Sequence, residues 1–107
     1  MTQTYLGIPD PYGRGCQISV LAERGIEPRL LPPIDESTPR LMAWAILTDY
    51  GGEHVAARYA KRFAAAITIG LDPLRIWYLC AEDISLSLAK FAQLERELSA
   101  AIHIDTT

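Results

Sequence analysis

Apolar residues recur at every fourth position from Val55: Val55, Tyr59, Phe63 and Ile67, with Ala56, Ala60 and Ala64 beside them. That spacing puts all seven on one wide helix face. The helix starts near Glu53, an acid well placed for the helix dipole. Arg58, Lys61 and Arg62 share the opposite face. Upstream, Leu41 to Leu47 reads LMAWAIL, with no polar stripe, which predicts a helix buried by neighbours on several sides. Thr38 or Ser37 supplies the capping oxygen, and Pro39 fits the first helical position. Gly51 is expected to adopt the left-handed conformation that ends this helix, with Gly52 loosening the joint. Two helices joined so tightly should pack antiparallel, their alanines letting the backbones approach.

The first third alternates with period two. Thr4 to Ile8 is a strand candidate anchored by Tyr5, and Cys16, Ile18 and Val20 alternate with Gln17 and Ser19 as a half-buried strand. The two should pair antiparallel. Between them Asp10-Pro11-Tyr12-Gly13 matches a type I turn, and Gly13-Arg14-Gly15 continues the loop. Glu23-Arg24-Gly25 reads as a second turn. Pro28 to Leu31 is extended, and its proline confines it to a sheet edge. Leu74 to Leu79 (LRIWYL) is ambiguous between strand and helix, its Ile, Trp and Tyr favouring a strand. Asp83 or Ser85 is expected to cap a third helix reaching about Ile102, with Ile84, Leu88, Phe91, Leu94, Leu98 and Ala101 on one stripe and Glu95, Arg96 and Glu97 facing water. The fold expected from these elements is α+β: a small antiparallel sheet from the N-terminal third packed on a helical pair, with a long C-terminal helix.

Length and composition narrow the class. The 107 residues make a single domain, long enough to bury roughly 65% of its unfolded surface without a disulfide or metal. A net charge of −3 and a pI near 5.3 disfavour a broad nucleic-acid footprint. No apolar run approaches the ~18 residues of a membrane helix. The start, MTQTYLGIPD, has neither a basic region nor an apolar block, so no secretory signal is read and the expected location is the cytoplasm. Cys16 and Cys80 lack Cys or His neighbours at metal spacing and read as small buried thiols; His54 and His103 are likewise alone. No catalytic, metal or cofactor motif is found.

The order of features resembles a family of small uncharacterised domains from bacteria and their phages. The residues that carry the resemblance are Tyr5-x-Gly7, Leu41-x-x-x-x-Ile46-Leu47-x-Asp49, Ala57-Arg58-Tyr59-x-x-x-Phe63 and Trp77-x-Leu79-x-x-x-Asp83-Ile84, spanning roughly residues 4 to 84. The chain departs from that family before its first helix. There Ile34 to Pro39 replaces a segment with glycine and tryptophan. The resemblance implies an α+β fold and an origin in bacteria or mobile elements; it lends no catalytic residues.

Three surfaces are candidates for partner binding. The first is the basic cluster Arg58, Lys61 and Arg62, able to meet phosphates or an acidic protein, or simply a solvated face partly balanced by Glu53. The second is the loop tip with Tyr12 and Arg14, a composition common in interfaces. The third is a set of acids, Glu82, Asp83, Glu95 and Glu97, which an acidic inhibitor could place in a nucleic-acid groove. The seam Phe91, Leu94, Leu98 and Ala101 offers a homodimer contact as an alternative to core packing. The functional expectation is a small non-enzymatic interaction protein that binds and modulates another protein complex, with an inhibitor of a host defence system, such as an anti-CRISPR protein, as a concrete form. The alternatives are a nucleic-acid-binding regulator using the basic helix face and an enzyme whose site has no recognised motif.

Overall fold

Tyr5 is fully buried at the centre of a four-stranded antiparallel sheet, and the helices stack on the face it points to. The computed structural model describes residues 3–21, 28–72 and 74–105, with side chains as far as residue 101. The expected turn at residues 23–25 lies outside the described residues.

Strands β1 (Thr4–Pro9) and β2 (Cys16–Leu21) pair from Thr4↔Leu21 to Pro9↔Cys16. Pro9 is tolerated because Cys16 sends its own N–H and C=O to Ile34, so no ladder bond is asked of Pro9 at that pair. Strand β3 (Arg29–Leu30) is a two-residue edge, as its flanking prolines predict. The ambiguous LRIWYL segment resolves into β4 (Trp77–Cys80), which pairs antiparallel with β1 and completes the order β3-β2-β1-β4. The sheet therefore takes its fourth strand from beyond the helix pair. Tyr5, Ile18, Val20, Trp77 and Leu79 point to the helices and are buried, whereas Leu30 and Tyr78 stay exposed on the other face.

Helix α1 (Pro39–Gly51) begins as expected: Thr38 Oγ1 accepts from the Leu41 N–H at 3.3 Å, and Pro39 takes the first position. Its end differs by one residue. Gly51 closes the helix, and Gly52 carries the positive φ of 96°. The left-handed position is the residue whose N–H turns back to Thr48 O, after the last helical turn has formed. Helix α2 (Glu53–Ala66) then returns along α1. Thr68, in a 3-10 turn (Thr68–Gly70), donates to Pro39 O at 2.6 Å, so the end of α2 is tied to the start of α1 and the pair is antiparallel. Ala56, Ala60, Phe63 and Ala64 are buried between the helices and the sheet.

Helix α3 (Ala81–Asp105) follows β4 with no loop. Asp83 and Ser85, both inside the helix, are therefore not its cap. The Ala81 N–H donates to Gln3 O at 2.8 Å, so the sheet itself satisfies a first-turn donor. Glu82 and Asp83 sit within that first turn, where the dipole favours them. Ile84 and Phe91 are buried and Leu88 packs against them, with the Phe91 ring stacked on Tyr59 at 6.0 Å between centroids. Among the described residues, the buried apolar side chains form one cluster.

Candidate functional site

The uniform apolarity of Leu41 to Leu47 predicts burial on all sides, but α1 is covered on only one. Met42, Ala43, Ile46 and Leu47 pack inward with almost no exposure, while Leu41 is 47% and Trp44 43% exposed. A 13-residue helix lying on a four-stranded sheet has too few neighbours to hide every side chain. Leu41 and Trp44 instead form one wall of a surface groove of about 670 Å³. The opposite wall is the extended segment Leu30, Leu31, Pro32, Pro33 and Ile34 leading from the edge strand to α1. The wall is apolar and irregular because the prolines leave little backbone N–H to pair.

One end of the groove is closed by a charged pair. Arg29 donates from both terminal guanidinium nitrogens to Asp49, at 2.5 and 3.1 Å, and the buried Tyr5 hydroxyl donates to the same carboxylate at 2.8 Å. Burial tends to raise the Asp49 carboxyl, but the bonds from Arg29 and Tyr5 outweigh it and hold the group below the usual carboxylate range. Burial first, then the bond to Asp49, pushes the Tyr5 hydroxyl far above its ordinary value. This constellation joins β1, β3 and α1, and no sequence motif marks it. Thr48 also lines the groove, and its Oγ1 is buried with no hydrogen-bond partner among the described residues.

The basic cluster is not a free patch. Arg58 donates to Glu95 Oε2 at 2.6 Å and Arg62 to Oε1 at 3.3 Å, so α2 and α3 are clipped together by the acid expected to face water. The counter-charge is Glu95, not the Glu53 of the same helix. The Arg58 guanidinium also lies 5.3 Å from the centroid of the Tyr59 ring, which fixes its direction. Lys61 is exposed and makes no ion pair among the described residues.

The four candidate acids are likewise dispersed. Glu82 and Asp83 occupy the first turn of α3, about 20 Å along the helix from Glu95, whose charge is already met. Glu97 is exposed and accepts from Gln93 at 3.1 Å. Tyr12 is 97% exposed at the β1–β2 loop tip, its N–H held by Asp10 Oδ1 at 2.9 Å, as the turn pattern predicts. Arg14 bridges through its backbone to Glu36 and Ser37, which fastens the loop to the α1 entry.

Cys16 is buried, but Cys80 is exposed, contrary to the sequence expectation. Their strand partners Pro9 and Thr4 lie at opposite ends of β1, roughly 17 Å apart, which excludes a disulfide between them. No group of three or more metal-ligating side chains converges among the described residues.

Replacing Glu95 tests the clip. Glu95→Gln releases Arg58 and Arg62 and gives α2 a cationic face, so the variant should elute from heparin at higher salt than the parent. Equal elution would mean that the arginines are neutralised by something else.

No protein-family model matches this chain, and neither the curated proteins nor the solved structures contain a significant match to it.

Proposed function

We propose that this chain is a small non-enzymatic interaction protein that binds another protein through the groove between α1 and the Leu31–Ile34 segment. The observation that carries this reading is a half-exposed tryptophan beside a half-exposed leucine on a rigid helix whose inner face is fully packed. A tryptophan in a concave apolar site, rimmed by a charged pair, has the make-up of an interface anchor. The Arg29–Asp49 pair closes one end with directional charge.

An inhibitor of a host defence complex is one concrete form of such a protein. If it acted through acids, it would need Glu82, Asp83, Glu95 and Glu97 on one surface. Their separation favours the apolar groove as the contact instead. Arg58 and Arg62 share one acid, Glu95, so the cluster with Lys61 offers a nucleic acid less free positive charge than its three cations suggest.

The test is a paired capture from bacterial lysate with the parent chain and with Trp44→Ala. Because Trp44 is half-exposed, the substitution should lower the melting temperature only modestly and leave the chain folded while the specific partner is lost. An anchor of this kind contributes about 2 kcal/mol or more to binding, a loss of at least ~30-fold in affinity. Equal recovery by both chains would remove the groove from the interface.

A further inference from the structure

Past Glu95, α3 makes no hydrogen bond or ion pair to another element among the described residues. Phe91 is the last buried residue of the helix among the described side chains, and the remaining turns to Asp105 extend about 21 Å past it. The molecule measures 57 Å along its longest axis and only 31 and 21 Å across. Such a projection would ordinarily be polar all round. Here Leu94 and Leu98 are 50% and 55% exposed. At 100° per residue Leu98 lies within about 20° of Phe91, and Leu94 within about 60°, so the core stripe runs out of the body and continues into solvent.

We infer that this projecting end of α3 docks on the same segment of a second copy of this chain, antiparallel. The occupant follows from the charges that flank the seam. Phe91, Leu94, Leu98 and Ala101 occupy alternating a and d positions of a heptad. Lys90 and Glu97 then both fall at the g position on one flank, seven residues apart. Lys90 has no ion pair among the described residues. Within one helix the two are too far apart to meet. In an antiparallel pair g faces g, and the register that sets Leu94 against Leu98 of the other copy sets Lys90 against its Glu97, twice by symmetry. Glu95 meets its own symmetry mate on the other flank, where Arg58 and Arg62 of each copy already neutralise it. One helix thus carries both halves of a self-complementary surface. The groove at Trp44 lies elsewhere, so this assembly stands or falls separately from the partner reading.

The seam is short, so the dissociation constant should be on the order of 10–100 µM. Sedimentation velocity from about 1 µM to about 500 µM should show a monomer passing to a dimer. Leu98→Glu should stay monomeric throughout with an unchanged melting temperature. Lys90→Glu and Glu97→Lys should each weaken the dimer roughly tenfold, and the double reversal should restore it. A monomer at the highest concentration would overturn the inference. So would single reversals that leave association unchanged, or a double variant as weak as either single one.

Discussion

Gly7→Ala should strongly destabilise this protein although it adds only one methyl group. Gly7 pairs with Trp77 across β1 and β4, and a Cβ at Gly7 would lie 2.0 Å from Trp77 Cε2. The indole therefore lies flat over the backbone of Gly7, in space that every other residue would fill. Trp77 is buried on the core face and cannot swing away without losing its packing. Overpacking of this sort costs about 1–3 kcal/mol, and the rigid ring puts this case at the upper end. Chemical denaturation gives the first number, and a double-mutant cycle gives the decisive one. Trp77→Leu should cost stability in the parent but much less in the Gly7→Ala background, because the clash disappears with the ring. Additive losses would show that Gly7 is required for some other reason.

Asp49→Ala should cost about 1–3 kcal/mol, since it leaves the buried Tyr5 hydroxyl without an acceptor and removes the partner of Arg29. The pH dependence follows from the depressed Asp49 carboxyl. Its folded value lies below the unfolded one, so its contribution is fully present above the ordinary carboxylate value of 3.8 and is lost as the pH falls through the folded value. The stability gap between parent and Asp49→Ala should accordingly be constant from neutral pH down to about pH 5 and narrow below about pH 4. A gap that stayed constant to pH 2 would contradict the charged role assigned to Asp49. Tyr5→Phe separates the two bonds: it removes only the hydroxyl and should leave most of the acid-dependent gap in place.

Local signals were legible along the chain. Thr38-Pro39 marked the start of α1, the four-residue repeat from Val55 marked the inner face of α2, and the alternation around Ile18 marked a strand. Each depends on neighbours a few residues apart. What escaped was non-local. Arg58 and Arg62 looked like a basic patch because their counter-charge, Glu95, lies more than thirty residues away on another helix. Arg29 and Asp49 are joined only because β3 and α1 meet over Tyr5. The LMAWAIL run carried a different ambiguity. Uniform apolarity gives no phase, so the sequence does not say which side of α1 faces the sheet, and Trp44 is indistinguishable there from its buried neighbours. A half-covered helix was nonetheless foreseeable from the small number of elements available to surround it. The exposed seam on α3 was visible as a heptad, but whether Leu94 and Leu98 reach the body depended on where α2 stops.

The central claim is that the Trp44 groove is the contact for a protein partner. The most direct test labels both tryptophans with 5-fluorotryptophan and follows their two ¹⁹F resonances as the captured partner is added. Trp44, half-exposed in the groove, should shift or broaden in proportion to complex formed, while Trp77, buried against Gly7, should hold its position. A complex that forms with the Trp44 resonance unmoved would contradict the account and place the partner on another surface.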